Sequence, residues 1–298
     1  MLLPDLSYLR ARTVEEALAL HSEKPQARFM AGGTDLLPQT RAGKCSPVHR
    51  GGGSLPPRTV IDVKYIPELA EIRGTGDGSL AIGAAASVAA VAGHPEVRRH
   101  YPVLADCCLS LGSYPLRNRA TVAGNICNAS PCADTAAALL ALDARVAAVG
   151  PKGRREIGIG DFFENPGQTS LLAGELVVDV ILPEKSRGAR GHYGRIARRR
   201  AVDISTVAVL VACIAGREPE HRVALLSVAP TPLRVTGAEE LLDQKGPDAA
   251  AQAAEISMSV CNPIDDVRGT ADYRRAMVGV LTERGVSALA AGAGRPGS

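Results

Sequence analysis

Two short segments carry the residue types from which a chemical site could be built. The first is Ala31-Gly32-Gly33-Thr34-Asp35-Leu36-Leu37, directly after Arg28-Phe29-Met30. The second is Arg117-Asn118-Arg119-Ala120-Thr121-Val122-Ala123-Gly124-Asn125, which runs on to Asn128-Ala129-Ser130-Pro131-Cys132-Ala133-Asp134-Thr135. Each sets glycines or small residues among Thr, Asn, Ser and Asp. Glycine lets the backbone approach an anion closely, and successive N–H groups can then point at its charge. A diphosphate is the ligand class this suits. Two such segments far apart in the chain predict a ligand clamped between them, not one held by a single loop. The order of strand and glycine turn resembles a phosphate loop, but Gly32-Gly33 is not G-x-G-x-x-G and no G-K-[ST] follows it. A Rossmann fingerprint and a P-loop are both excluded on spacing.

Other reactive side chains are less organised. Cys127 and Cys132 lie within the second segment, but a cluster normally needs four thiolates and no further cysteine pair is near in sequence. Convergence with Cys45 or Cys107 is the alternative; small, half-buried thiols and no metal site are expected. Asp134 opens an Ala/Leu-rich helix, where it could be a simple cap or a ligand contact. The six histidines are scattered and none stands beside a plausible nucleophile, so no catalytic acid or base is expected. The basic run Arg195, Arg198, Arg199 and Arg200 reads as a solvated turn or an anion contact.

Composition bounds the class. The 298 residues are long enough for two domains or one large one, and 46% hydrophobic content is ordinary for a globular chain. A net charge of +3 with no basic face argues against nucleic acid as a partner. With no Trp and three Phe, the core must be built from Ala, Val, Leu and Ile. Seven irregularly spaced cysteines do not make a disulfide framework. The start Met1-Leu2-Leu3-Pro4 is not a signal peptide, and no apolar run is long enough for a membrane span, so the chain reads as soluble and cytoplasmic.

The elements that must position these residues follow from pattern. Thr13-Val14-Glu15-Glu16 is a capping-box sequence ahead of a helix over 17–21. Residues 28–30 read as a buried strand entering the first glycine turn. Residues 44–58, with Gly51-Gly52-Gly53 and Pro56-Pro57, read as a flexible loop. Strands are expected at 59–63, 69–72, 80–83, 145–149, 155–159 and 175–182, the last alternating, and helices at 87–91, 103–111 and 133–142. A turn is expected at Asn165-Pro166-Gly167. The charged, glycine-containing stretch 184–191 marks a domain boundary. Beyond it a strand pair, 205–215 and 222–228, precedes helices from Gly237, over 249–260 and over 271–282, an α+β pattern. Residues 290–298 read as a disordered tail.

Together these segments resemble the FAD-binding, medium-size subunit of the molybdenum hydroxylases, the family of xanthine dehydrogenase, carbon monoxide dehydrogenase and 4-hydroxybenzoyl-CoA reductase. The resemblance covers residues 4–289. Besides the two segments above, its carriers are Val60-Ile61-Asp62-Val63, Leu80-Ala81-Ile82-Gly83-Ala84, the stretch 193–204, Val228-Ala229-Pro230-Thr231-Pro232-Leu233-Arg234, and Asp266-Val267-Arg268-Gly269-Thr270-Ala271-Asp272-Tyr273-Arg274-Arg275. Any one is weak; their order and spacing together are specific.

The resemblance implies an α+β, vanillyl-alcohol-oxidase-type (PCMH-type) fold. Residues 1–183 would bind FAD in two subdomains divided near 55–60, and residues 190–289 would add an antiparallel sheet with helices. It implies that Ala31, Gly32, Gly33, Thr34, Asp35, Leu36 and Leu37 wrap the pyrophosphate on one side. Thr121, Val122, Ala123, Gly124, Asn125, Ser130 and Asp134 would contact it, or the ribityl chain, on the other. By the resemblance, Arg195 falls near a position where relatives place a basic residue close to the isoalloxazine ring, a cation that would stabilise reduced, anionic flavin. The residue types agree, with exposed N–H groups expected at the glycines and polar side chains for hydroxyls. Ala123 departs from the glycine of many relatives. The cysteine-bearing insertion that carries a 4Fe-4S cluster in 4-hydroxybenzoyl-CoA reductase is missing, so no cluster is expected here.

By the same resemblance, a large subunit would hold molybdopterin and a small one two 2Fe-2S clusters, in a dimer of heterotrimers. This chain's FAD would exchange electrons with NAD, a quinone, oxygen or ferredoxin. Two alternatives stand beside this. One is a structural or assembly subunit with a decayed FAD site, against which Gly32, Gly33, Gly124, Asn125 and Asp134 speak. The other is a free-standing flavin oxidoreductase, which needs a substrate pocket with a base near Tyr193.

Overall fold

The computed structural model describes residues 5–44, 48–50, 57–199 and 202–292, with backbone alone for 48–50. Most of the expected loop at 44–58, Cys45, Arg200, the first four residues and the tail from 293 onward lie outside the described residues. The chain forms two compact units, each assembled from separated segments. One comprises Met1–Val91, Tyr114–Ser130 and Ala144–Glu184; the other comprises Ala92–Ser113, Pro131–Asp143 and Lys185–Ser298.

In the first unit a three-stranded parallel sheet runs Ser7–Arg10, Thr59–Asp62, Arg28–Met30 in spatial order. Parallel neighbours need a crossover, and the helix Val14–Glu23 supplies one. Thr13 caps that helix, its hydroxyl accepting from the Glu16 N–H at 3.1 Å. The expected capping box is only half made, because Glu16 Oε2 accepts from the N–H of Arg12 (2.7 Å) instead of that of Thr13. Arg10 and Met30 both stand in register with Asp62. The three strands therefore end together, and Arg10, Lys64-Tyr65 and Gly32-Gly33 emerge at one edge of the sheet.

A five-stranded antiparallel sheet follows the order Ile72–Gly74, Leu80–Gly83, Leu176–Leu182, Arg145–Gly150, Gly153–Gly158. Leu176–Leu182 is central, and all seven of its residues are buried, so the expected alternation is absent. Asp179, in its middle, is satisfied by a bidentate bond from Arg73 (2.9 and 3.1 Å) and by Arg154 (3.3 Å). Ala17, Ile61, Val63, Ile66, Leu69, Ala147 and Val178 join the two sheets in one apolar core.

Three expectations change here. Residues 67–70 form a 3-10 turn in place of a strand, with Pro67 at its first position, and pairing starts only at Ile72–Gly74. Within the stretch read as a loop, Val48–Arg50 pairs in parallel with Gln168–Leu172. The segment 117–125 is largely helical, as described below.

The second unit is built on a four-stranded antiparallel meander: Arg190–Ile196, Val207–Ile214, Glu220–Leu226 and Leu233–Arg234. The first strand was missed in the sequence because its residues are polar and half-exposed and it overlaps the charged boundary stretch. Val207, Val209, Val211, Val223 and Leu225 pack with Ala238, Leu242, Ala253, Val278 and Val286 from the helices Thr236–Lys245, Ala250–Ser259 and Ala271–Ala290. The last helix runs eight residues past the expected end. Thr282 returns its hydroxyl to Val278 O (2.8 Å), and Val286 is drawn into the same core.

Candidate functional site

The carboxyl end of Arg28–Met30 delivers Ala31 and a tight turn. Gly33 sits at φ +72, in the left-handed region. Gly32 is required for a different reason. A Cβ there would lie 2.8 Å from Arg119 O and 2.9 Å from Ala120 Cα, closer than real contacts allow. The two sequence segments thus pack backbone to backbone. Arg119 Nε donates to Gly32 O at 3.2 Å and secures the approach. The turn leads into the helix Leu36–Arg41, whose Leu37 N–H returns to Gly33 O (3.1 Å). Thr34 is half-buried. Asp35 is exposed and makes no capping bond, and the protein around it raises its carboxyl above the ordinary range.

The second segment forms two short helices, Tyr114–Arg119 and Val122–Cys127. Thr121, between them, caps the second one: its hydroxyl accepts from Gly124 N–H at 2.9 Å. That bond corrects an expectation. The Gly124 N–H is spent inside the helix cap and is not offered to a ligand. Val122 and Ala123 are buried, Gly124 is exposed and Asn125 is half-buried. Ala129 takes φ +48 and its carbonyl accepts from Gly167 N–H (2.9 Å), which orients Ser130 after it. Gln39 Nε2 donates to Asn128 Oδ1 (3.0 Å), a second tie, here between the helix Leu36–Arg41 and the residue that ends Val122–Cys127.

A cationic group that sequence reasoning missed lies beside this turn. The Arg10 guanidinium is 4.2 Å from the centre of the Tyr65 ring and that of Arg119 is 5.8 Å from it. Arg119 Nη1 is 3.5 Å from Tyr65 Oη. Lys64 is half-buried, and its Nζ donates to Ala85 O at 2.5 Å. Burial first, then the charge of Arg119, push Lys64 down to about 8 against a smaller opposing pull from Asp62. Asp62 itself is bonded by Tyr8 Oη (2.7 Å) and by the Lys64 N–H (2.8 Å). Among the described residues, no carboxylate stands within ion-pair distance of Arg10, Lys64 or Arg119. Arg119 was visible inside the quoted motif, and Lys64 directly follows Val60-Ile61-Asp62-Val63.

Asp134 and Arg195 belong to the second unit. Asp134 is the first residue of the helix Asp134–Ala141; Ala133 holds the cap position, so the capping alternative does not apply. Its Oδ1 accepts from Tyr193 Oη at 2.8 Å and from Ser205 Oγ at 3.3 Å. Burial raises the Asp134 carboxyl, and these hydroxyls and the Arg195 charge offset only part of that. Burial also raises the Tyr193 phenol well above its usual value, with the Asp134 charge adding to it. Tyr193 therefore stays a proton donor and is unsuited to act as a base. Arg195 is engaged by backbone: Nη1 donates to Ser110 O and Nη2 to Asp203 O, both at 2.8 Å.

Cys107, Cys108, Cys127, Cys132, Cys213 and Cys261 form no disulfide. Among the described residues, no group of three or more His, Cys, Asp and Glu is placed to hold a metal ion. No helix among them is long and apolar enough to cross a membrane.

This geometry meets known proteins at several points. The family described as the FAD binding domain in molybdopterin dehydrogenase matches residues 4–185, and the CO dehydrogenase flavoprotein C-terminal domain matches residues 192–289. The chain is 33% identical over 295 residues to a xanthine dehydrogenase FAD-binding subunit of Escherichia coli O157:H7, covering 97% of both chains. It is 31% identical over 292 residues to a carbon monoxide dehydrogenase medium chain of Hydrogenophaga pseudoflava, covering 97% of this chain and 98% of that one. The solved carbon monoxide dehydrogenase from that organism superposes with a TM-score of 0.88 at 32% identity, over 98% of this chain and 99% of the other. Quinoline 2-oxidoreductase from Pseudomonas putida 86 does so with 0.87 at 26% identity, over 99% and 100%.

Proposed function

Because this chain belongs to the family of FAD-binding subunits of the molybdopterin dehydrogenases, we propose that it is the electron-transfer subunit of a heteromeric molybdenum-dependent oxidoreductase. It is an oxidoreductase subunit of the medium-chain type and FAD is its cofactor. The proposed role stands between 2Fe-2S clusters of a small subunit and an external acceptor such as NAD, a quinone, oxygen or ferredoxin. A large subunit would hold molybdopterin and act on the organic substrate. The assembly is a cytoplasmic dimer of heterotrimers.

The proposed fold is the PCMH type, with an FAD-binding domain over 1–183 in two subdomains and a C-terminal domain over 190–289. The family matches over 4–185 and 192–289 support that division.

The observation that carries the reading is the packing of Gly32 on Arg119 and Ala120 at the carboxyl edge of the parallel sheet. Ligands of parallel sheets gather at such edges. The turn leaves no side chain between backbone and ligand, and beside it stand cations with no carboxylate partner among the described residues, which fits an anionic diphosphate. Ala31, Gly32, Gly33, Thr34, Asp35, Leu36 and Leu37 would hold that group, together with Thr121, Val122, Ala123, Asn125 and Ser130. The Gly124 carbon would line the site although its N–H is committed. Asp134 would meet the ribityl hydroxyls, its orientation set by Tyr193 and Ser205. Arg195 would stand near the ring as a cation held by two carbonyls.

Bound FAD supplies the redox chemistry. The protein's part is to bind, orient and set local charge. The free-standing oxidoreductase needs a base near Tyr193; the carboxylate beside it, Asp134, is occupied by the Tyr193 and Ser205 hydroxyls.

A visible absorption spectrum of the purified chain, followed by dithionite, tests the proposal. Flavin bands that bleach on reduction are the expected result. A colourless protein that takes up no added FAD would overturn it in favour of an assembly subunit. Co-purification with a molybdenum subunit is the second expected result, and its failure would favour a free-standing protein.

A further inference from the structure

We propose that Lys64 and Arg119 form the countercharge that recognises a diphosphate at the Gly32-Gly33 turn, with Arg10 and the Tyr65 ring closing the cationic cluster behind them. The proposal rests on the reading that FAD binds at this turn, and it assigns the residues that select its phosphates.

Three observations carry it. The first is topological. Arg10 ends Ser7–Arg10, Lys64 and Tyr65 follow Thr59–Asp62, and Gly32 follows Arg28–Met30. Register places all three strand ends at one edge, so the cations and the turn share it. The second is the link to the turn. Arg119 spends its Nε on Gly32 O, which aims the remaining guanidinium N–H groups away from that bond while anchoring the arginine to the turn. The third is charge imbalance. Arg119 and Lys64 are close enough for one to depress the other, and no carboxylate pairs with either among the described residues. Holding two cations together without an anion costs free energy, and an anionic ligand would remove that cost. A purely structural lysine would be better placed with its ammonium in solvent.

The groups facing Lys64 are Arg119 from the helix Tyr114–Arg119, Asp62 at the end of the preceding strand and the Ala85 carbonyl, with Tyr65 and Arg10 beyond. Among the described residues, Asp62 is the opposing charge on Lys64, and that carboxylate is shared with Tyr8. An incoming diphosphate would favour protonated Lys64. With Lys64 at about 8 in the free protein, binding at pH 8 should take up to about half a proton. Affinity should then fall as pH rises above that point.

The test compares FAD with riboflavin, which lacks phosphate, on the flavin-depleted full chain. Affinity is read by quenching of flavin fluorescence, and proton uptake by calorimetry at pH 8 in buffers of different ionisation enthalpy. For wild type, FAD affinity should fall with salt, and proton uptake should accompany FAD but not riboflavin. Lys64→Met should weaken FAD by about tenfold or more, the worth of one hydrogen bond to a charged group. It should abolish proton uptake and leave riboflavin unchanged. Lys64→Arg should keep FAD affinity without proton uptake. Arg119→Gln should weaken FAD more than riboflavin.

Equal losses for both ligands, or unchanged FAD affinity in Lys64→Met, would overturn the countercharge role while leaving the FAD site standing. Wild type that binds neither ligand would overturn the FAD site itself. If the variants fail to fold, the salt and proton-uptake measurements on wild type still decide: no salt dependence and no proton uptake would overturn the proposal.

Discussion

Arg119 Nε lies 3.2 Å from the carbonyl oxygen of Gly32, across 87 residues of sequence. The bond ties the end of a short helix to the turn that follows a parallel strand. The same approach leaves no room for a Cβ at Gly32. One contact thereby explains why the turn needs glycine and why the two segments lie against each other.

Gly32→Ala tests that contact. The added methyl must push Arg119 and Ala120 back, so the variant should lose about 1–3 kcal/mol of stability. FAD affinity should fall with it. Chemical denaturation and flavin fluorescence titration measure the two effects, and an unchanged FAD affinity would dissociate the packing from the site.

Tyr193→Phe should make stability more sensitive to pH. Burial already holds Asp134 above its unfolded value, so its favourable contribution is present below that value and is lost as pH rises through the folded one. Tyr193 opposes the rise by donating to Asp134. Without that donor the folded value climbs further. The variant should lose about 1–2 kcal/mol at pH 7 and less near pH 3.5. Urea melts at the two pH values read the difference; equal losses at both would show that the phenol acts only by packing.

Asp143 makes the opposite case. Burial pushes its carboxyl up, but Lys185, Arg234 and Arg222 outweigh it and hold it below the ordinary range. It pairs with Lys185 at 2.9 Å, with Arg222 at 3.6 Å and with Arg234. Its stabilisation is present above the unfolded value and lost as pH falls through the folded one. Asp143→Asn keeps the shape and suits the left-handed backbone at φ +52. It should cost about 1–2 kcal/mol at pH 7, because Arg222 and Arg234 lose one carboxylate but keep Glu220 and Glu239. The gap from wild type should narrow on acidification, as followed by thermal melts from pH 7 to pH 3.

Thiol labelling should divide the cysteines. Cys107 and Cys108 are fully buried, and burial pushes the Cys127 thiol to about 12. At pH 8 the thiolate fraction of Cys127 is roughly a thousandfold below that of an unperturbed thiol. In the native protein these three should resist an aromatic disulfide reagent, and in guanidinium all should react. Rapid native labelling of Cys127, which is half-buried, would show that its thiol is not held protonated.

Much of the architecture was legible in local pattern. Val207–Ile214 and Leu80–Gly83 announce themselves by apolar runs. Val14–Glu23 is read from Thr13, and Asp134–Ala141 from its Ala and Leu content. Arg190–Ile196 escaped notice because a strand made of polar residues is held by pairing with Val207–Ile214, not by its own propensity. The segment around Thr121 looked like a glycine loop, since glycine weighs against helix. In the fold, the Thr121 cap and the burial of Val122 and Ile126 override that preference.

By itself the sequence determined what depends on neighbours along the chain: strand and helix periodicity, caps, the small-residue core, and the identity of both glycine segments. Tertiary structure alone decided that Gly32 meets Arg119, that Tyr193 reaches Asp134, and that Lys64 stands among other cations. Those facts depend on which strand ends share an edge and on how much water is excluded around each charge. Coulomb and desolvation energies are set by distance and burial in space, which separation along the chain does not encode.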